Sequence, residues 1–209
     1  MPPVIKNLIL SIYSGLCIGL GGTVYLSCDN KILGSFLFGL GLFTILNFGF
    51  NLFTGKVGYF VNNKPSYWGF LGIVWLGNFI GTSLFAKMIA ATRYGATLQA
   101  KANALCLVKD GDSIVSLLVL GIFCGMLMFI AADGYKNIEN QVGKVVAVFL
   151  PVMVFILSGF EHCIADMFYF SLAGDFSALM LKSLIVITVG NSIGGGLIPL
   201  ARKFAPARG

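Results

Sequence analysis

Charged side chains are scarce in this chain of 209 residues, where they make up 11% of the sequence and only eight are acidic. Soluble domains carry about a quarter of charged residues, so a soluble fold of this length would lack the polar surface needed to cover its core. The mean hydropathy of +0.91 therefore indicates an integral membrane protein. The apolar runs leave no room for a separate soluble domain in this sequence, and we predict none.

Residue types that build metal centres and disulfide frameworks are also few. The chain has a single histidine, His162, and its five cysteines are scattered through apolar runs without C-x-x-C spacing. That pattern is typical of free, buried thiols. With no H-E-x-x-H motif in the sequence, we predict no metal, no other cofactor and no enzymatic activity.

Long apolar runs dominate what is present. A transmembrane helix needs about 20 apolar residues, and the sequence holds six runs of roughly this length or longer. They cover approximately residues 8–27, 33–62, 68–92, 113–132, 145–172 and 178–201. The charge-rich segment 93–112 between the third and fourth runs is interpreted as a connecting loop.

The basic residues, which give a net charge of +6, are spread over several loops and form no stripe beside aromatic residues. Lipid headgroups are therefore the expected partners, and nucleic acid is not. Six spans place both termini on one side, together with the larger set of basic residues: Lys6, Lys64, Lys136, Lys144, Arg202, Lys203 and Arg208. Since basic loops stay in the cytoplasm, we predict a multi-pass protein of the cytoplasmic membrane with both termini cytoplasmic.

The third and sixth runs share one polar interruption, G-N-F-I-G at 77–81 and G-N-S-I-G at 190–194. Their G-x-x-x-G spacing lets membrane helices approach closely. Two halves of three spans each must insert in opposite orientations, as in many channels and transporters. The sequence thus predicts one transmembrane domain over 1–209, built as an inverted repeat of about 8–92 and 113–201.

The second and fifth runs are long and are interrupted by glycine, proline and polar residues. Long interrupted helices in corresponding places point to a binding site at the membrane midplane. The N-terminal ends of half-helices would favour an anion there. His162 lies at the second interruption, where an ionisable group is a functional candidate. We predict that it donates a hydrogen bond to the anion or lends it a proton, and so makes permeation depend on pH.

Three motifs carry a resemblance to a known family: L-F-T-G at 52–55, S-G-F-E-H at 158–162 with the following I-A-D-M-F, and the paired G-N-x-I-G. They resemble motifs of the formate/nitrite transporter family, which comprises pentameric channels for formate, nitrite and hydrosulfide. The resemblance implies an all-α membrane fold with six transmembrane helices in a 3+3 inverted repeat, similar to aquaporin. It also implies broken second and fifth helices and a homopentamer with one pore in each subunit.

The resemblance further implies roles for single residues. The substrate pathway would include Thr54, His162, Lys109 at the start of the fourth helix, and Asn191 of the sixth helix. The pore constrictions would be Leu42, Leu52, Phe53 and Phe155. Asn51, Glu161 and Asp166 are expected to support the loops, and the family usually carries an acidic residue where this chain has Asn51. From the residues alone, Lys109 beside Asp110 and Asp112 is more often a solvated loop charge, and only the resemblance assigns it to the pathway. Thr54 can equally be a hydroxyl bonded to its own helix.

These features predict a channel for small monovalent weak-acid anions across the lipid bilayer, passive or proton-linked. Formate is the default substrate, hydrosulfide is close behind, and nitrite is a further alternative. An aquaporin-like pore for a neutral solute is less favoured, because the sequence has no N-P-A triplet. An intramembrane metalloenzyme is a last alternative, since His162 and Asp166 are four residues apart on one helical face, near Glu161.

Overall fold

The computed structural model describes residues 2–205, which form nine α-helices and no β-strand. The helices are α1 (Pro3–Ser27), α2 (Lys31–Phe48), α3 (Phe53–Val57), α4 (Tyr67–Ala90), α5 (Gly95–Gly111), α6 (Ile114–Asn137), α7 (Gln141–Leu157), α8 (Cys163–Ala173) and α9 (Ala178–Arg202). A short 3₁₀ helix, Gly58–Asn62, continues α3. Five helices, namely α1, α2, α4, α6 and α9, are long and apolar enough to cross a membrane, and α7 and α8 are shorter apolar helices. The predicted all-α membrane fold is confirmed.

The second and fifth apolar runs are each split into two helices, as the sequence predicted. The first break separates α2 from α3, and Gly49 ends α2 with a φ of 68°. The second break separates α7 from α8, and Gly159 has the same φ of 68°. Glycine adopts positive φ without the penalty that a Cβ brings. A glycine at each break therefore ends one helix and turns the chain toward the next.

The pairs α1–α4 and α6–α9 pack at very short range. A Cβ placed on Gly81 of α4 would lie 2.1 Å from the carbonyl oxygen of Ile12, and one on Gly194 of α9 would lie 1.8 Å from that of Ile122. Both glycines belong to the G-x-x-x-G pairs, so the close helix approach predicted from that spacing is confirmed. The two halves thus repeat one packing arrangement, while their opposite orientation in the membrane stays a prediction.

Gly194→Ala is expected to destabilise the protein, because the new methyl group would meet the carbonyl of Ile122 and force α6 and α9 apart. Overpacking of this kind costs about 1–3 kcal/mol and sometimes more. The matched control is Gly69→Ala in α4, where a Cβ meets nothing within 4 Å. Thermal unfolding in detergent should show a lower melting temperature for the first variant alone. Equal melting temperatures would contradict the tight α6–α9 contact.

The segment 93–112 is not a loop, and that interpretation of the sequence is wrong. Gly95–Gly111 forms α5, whose alanine, leucine, glutamine and lysine residues favour helix. Its buried residues, Leu98, Ala102, Cys106 and Lys109, recur every three or four positions along one face. This face packs on α8. Lys109 therefore lies in the last turn of α5, and not at the start of α6 where the resemblance had assigned it.

Charged residues gather at two ends of the helix bundle. At one end, Arg202 Nη1 pairs with Asp133 Oδ2 at 2.7 Å. At the other end, Lys101 Nζ pairs with Asp29 Oδ1 at 3.6 Å. The first end holds residues that the sequence analysis assigned to the cytoplasm, and the orientation in the membrane stays a prediction. Arg208, one of the basic residues counted for that side, lies outside the described residues.

Candidate functional site

The loops at the two helix breaks have the same hydrogen-bond pattern. In each loop the backbone N–H of a phenylalanine, Phe50 or Phe160, donates to the carbonyl five residues earlier at 2.9 Å. Both loops begin with Gly-Phe, in G-F-N-L and G-F-E-H. This short repeat could have aligned the two breaks from the sequence. It places Leu52 of the first loop in the position that His162 occupies in the second.

A buried asparagine holds each loop in place. The side-chain amide of Asn191 donates to the carbonyls of Gly121 and Glu161, both at 2.8 Å. Its Oδ1 accepts from the backbone N–H of Cys163 at 2.9 Å, the first residue of α8. Asn78 makes the equivalent three bonds in the other half, with Ser11, Asn51 and Phe53. The polar interruption occurs twice because each loop needs one amide to pair its buried backbone groups.

These three bonds use both N–H groups and the oxygen of the Asn191 side-chain amide. Asn191 is 0% exposed and lines neither the cavity that includes His162 nor the cavity that includes Leu52, both described below. Its assignment to the substrate pathway stays a prediction. Asn51 belongs to the first loop through its backbone, since its carbonyl accepts from Asn78 and its N–H donates to the Leu10 carbonyl.

His162 connects the two breaks. Its Nε2 lies 2.9 Å from Oγ1 of Thr54, and its Nδ1 accepts from the backbone N–H of Ala165 at 3.0 Å, which caps α8. Since this cap uses the Nδ1 lone pair, the neutral ring carries its proton on Nε2 and donates it to Thr54. The hydroxyl proton of Thr54 is then left to be donated onward.

This geometry bears on the two roles predicted for His162. An imidazolium ring would need a proton on Nδ1, and that proton would displace the cap on α8. The arrangement therefore favours a neutral hydrogen-bond donor over a group that lends its proton. The Thr54 hydroxyl bonds to His162 instead of bonding to a carbonyl of its own helix.

A cavity of about 460 Å³ is lined by residues of α2, of α3 and of the loop between them, including Leu52 and Gly55, which are close to Thr54 in the chain. Leu42 and Leu52 are part of its wall, and each is 2% exposed. Lys56 and Lys136 also line it, together with the aromatic rings of Tyr59, Tyr67 and Tyr135. Two ammonium groups in one cavity favour an anion there. Lys56 was not predicted as a pathway residue. Its position inside an apolar run could have identified it, because an ionisable residue within a membrane span is a candidate for a functional role.

A second cavity, of about 210 Å³, lies beside His162. Phe155 forms part of its wall and stacks on the His162 ring, with the ring centroids 5.5 Å apart. Lys109, Glu161 and Asp166 also line this cavity. Lys109 Nζ contacts Glu161 Oε2 and lies 3.0 Å from Asp166 Oδ1. With 9% exposure, Lys109 is not a solvated loop charge, so that alternative is wrong.

Phe53 lines neither of these cavities. It contributes to a third cavity of about 520 Å³, beside Trp68 and Trp75 of α4 and Thr188 of α9. The lining of this cavity is almost entirely apolar. The placement of Phe53 therefore gives no support to its predicted role as a pore constriction.

The metalloenzyme alternative also finds no support in the geometry. Within residues 2–205, no three histidine, cysteine or acidic side chains are grouped so that they could hold a metal ion. Glu161 and Asp166 instead contact the ammonium of Lys109. The ring nitrogens of His162 are engaged by Thr54 and Ala165.

Comparison with known proteins identifies the family. The profile of the Formate/nitrite transporter family matches residues 2–203. The chain belongs to this family. The formate channel FocA of Escherichia coli K12 is 27% identical, over 93% of this chain and 84% of its own. The uncharacterized transporter YwcJ of Bacillus subtilis is 28% identical, over 92% of this chain and 84% of its own.

Solved structures of the family have the same fold. A pentameric formate channel with formate bound is 25% identical and superposes with a TM-score of 0.79, covering 96% of each chain. A family ion channel at 22% identity gives a TM-score of 0.82 over 98% of this chain and 90% of its own. The resemblance inferred from the three sequence motifs is confirmed, and the family members compared are channels and transporters.

Proposed function

We propose that this chain forms a channel for small monovalent weak-acid anions, with formate as the first substrate. The observation that carries the proposal is the buried Thr54–His162 pair, which joins the N-terminal ends of α3 and α8. His162 lines one cavity, and Leu52 and Gly55, near Thr54 in the chain, line another. Helix N-termini and hydrogen-bond donors suit a small anion. Formate comes first because the relatives include formate channels.

Apolar side chains surround the path near the Thr54–His162 pair, so the charge of the substrate is the main barrier to its permeation. Leu42, Leu52 and Phe155 are almost fully buried, and a bare anion between such groups loses hydration at a high cost. Formate, hydrosulfide and nitrite are conjugate bases of weak acids, so each can take up a proton and cross as a neutral molecule. Hydrosulfide is the second candidate and nitrite the third, by passive or proton-linked flux.

The assembly that we propose is a homopentamer with a separate pore in each subunit, because the related formate channel is pentameric. Each subunit would cross the membrane six times, with α2–α3 and α7–α8 as the broken crossings. The whole of 1–209 then forms one inverted-repeat domain with cytoplasmic termini, which the basic residues at the Arg202 end support. Native mass spectrometry that gave a monomer or tetramer would contradict the pentamer.

Flux into proteoliposomes tests the proposed function. Purified protein should carry formate faster than chloride, and acidifying the outside should raise formate uptake because more of it is then the neutral acid. Hydrosulfide and nitrite are measured alongside, with glycerol as a neutral solute and protein-free liposomes as the control. Chloride flux equal to that of formate, or faster glycerol flux, would contradict the proposal.

Leu52→Ala is expected to raise the permeability to chloride relative to formate, by about tenfold or less. Leu52 lies two residues before Thr54 and lines the 460 Å³ cavity. A smaller side chain there leaves more room, so that a hydrated ion is less strongly excluded. The matched control is Leu40→Ala in α2, whose side chain is on the surface at 48% exposure. An unchanged ratio in Leu52→Ala would remove Leu52 from the constriction.

A further inference from the structure

The charges around Lys109 do not balance. One ammonium group contacts two carboxyl groups, those of Glu161 and Asp166, and each of the three side chains is at most 10% exposed. The N-terminus of α8, where Asp166 lies in the first turn, adds only about half a positive charge. If both carboxyl groups were ionised, this buried cluster would keep a net negative charge beside the proposed path of an anion.

Asp166 also has an oxygen atom without a donor. Its Oδ1 lies 3.0 Å from Lys109 Nζ, whereas its Oδ2 is buried and has no hydrogen-bond partner anywhere in residues 2–205. Buried carboxylate oxygens are strongly penalised when they are left unpaired. A proton on one carboxyl group would remove this penalty, since Glu161 and Asp166 contact the same ammonium group of Lys109 and therefore lie close together.

The other ionisable groups around the pair do not supply the missing charge. Those that face it from the neighbouring elements are Tyr25 of α1, Cys106 of α5, Cys124 of α6, His162 of the loop, and Cys163 and Tyr169 of α8. Tyrosines and thiols are neutral near pH 7. His162 is fixed as a neutral ring by its bonds to Thr54 and Ala165.

We propose that Glu161 and Asp166 share one proton at neutral pH, and that this proton makes the cavity beside His162 acceptable to anions. This inference rests on the anion pathway proposed above, because the charge of the carboxyl pair would control whether an anion can enter that pathway. As pH rises, the O–H bond of the shared carboxylic acid breaks and the proton leaves to water. The cluster then gains a net negative charge that repels an incoming anion.

Infrared spectroscopy of the purified full-length protein tests the shared proton without any transport measurement. At mildly alkaline pH the unchanged protein should show the C=O stretch of one neutral carboxylic acid. Asp166→Asn and Glu161→Gln should each lose this band, since either variant leaves a single carboxylate beside Lys109. His162→Asn should keep it. Absence of the band in the unchanged protein, or its persistence in both carboxyl variants, would overturn the proposal.

The infrared measurement is made in mildly alkaline solution because Asp110, next to Lys109 in the chain, also carries a proton in acidic solution. Partial burial and the nearby carboxylate of Asp175 raise the pKa of Asp110 to about 6. Asp110 therefore gives its own neutral-acid band in mildly acidic solution and loses it above that pKa. A band that is still present in mildly alkaline solution therefore comes from a carboxyl group that holds its proton more strongly than Asp110 does.

Formate flux tests the consequence for permeation. The ratio of formate uptake above the pH at which the infrared band of the unchanged protein disappears to uptake at mildly alkaline pH should rise by about tenfold in Asp166→Asn. The variant's cluster stays neutral across this range, whereas the cluster of the unchanged protein loses its proton and becomes negative. The matched control is Asp29→Asn, which removes a fully exposed carboxylate at the same end of the bundle and should leave the ratio unchanged. Equal ratios in both variants would overturn the charge control. Loss of all formate flux in the unchanged protein would instead refute the proposed function, while the infrared result would still stand.

Discussion

Replacing Asn191 by leucine is expected to remove most of the folded protein. The variant loses three buried hydrogen bonds, to Gly121, Glu161 and Cys163, and leaves their backbone groups unpaired. Each unpaired buried group costs about 1–3 kcal/mol, and a whole domain is stable by only about 5–15 kcal/mol. Thermal unfolding and size-exclusion chromatography in detergent should show a sharp loss of melting temperature and of monodisperse protein.

The adjacent residue provides the control for this variant. Ser192→Ala removes a hydroxyl that donates to the carbonyl of Thr188 within the same helix, so its melting temperature should change little. Asn78→Leu should reproduce the loss in the other half of the chain, because Asn78 makes the equivalent bonds. If Asn191→Leu melted like the unchanged protein, the amide would not be what holds the second loop.

The repeated asparagine, Asn78 and Asn191, can be recognised in the sequence, but its structural role cannot. The G-N-x-I-G repeat predicted two matching halves and close helix packing, because glycine spacing has a direct steric meaning. The hydrogen bonds of Asn191 join three segments that are far apart in the chain, so no local pattern discloses them. The family resemblance suggested a pathway role, whereas the structure gives the amide to the backbone of the loop.

Lys109 illustrates a different limit of sequence interpretation. The charge in the segment around it predicts a solvated loop, yet the segment forms α5, with Lys109 on its buried face. Its partners Glu161 and Asp166 lie about fifty residues away in the chain, and the sequence predicts for them only a role in supporting the loops. Long-range pairing of this kind depends on how α5 packs on α8, which composition does not specify.

Replacing His162 by asparagine is expected to lower formate flux by about tenfold. Asparagine can still cap α8 by accepting from Ala165, so the helix should begin at the same residue. The variant loses the contact between Nε2 and Thr54 Oγ1, and a hydrogen bond worth about 1–1.5 kcal/mol corresponds to roughly a factor of ten. Uptake into proteoliposomes, normalised to the amount of reconstituted protein, measures the change.

Thr54→Val should give a similar loss, because it removes the other half of the same contact while keeping the side-chain shape. The double variant should then be no slower than the slower single variant, since two changes that remove one interaction are not additive. The pH profile of His162→Asn should keep its shape, because a neutral ring held by the α8 cap takes up no proton over the tested range. A flattened profile would show instead that His162 lends its proton to the anion, and additive losses would show that the two side chains act separately.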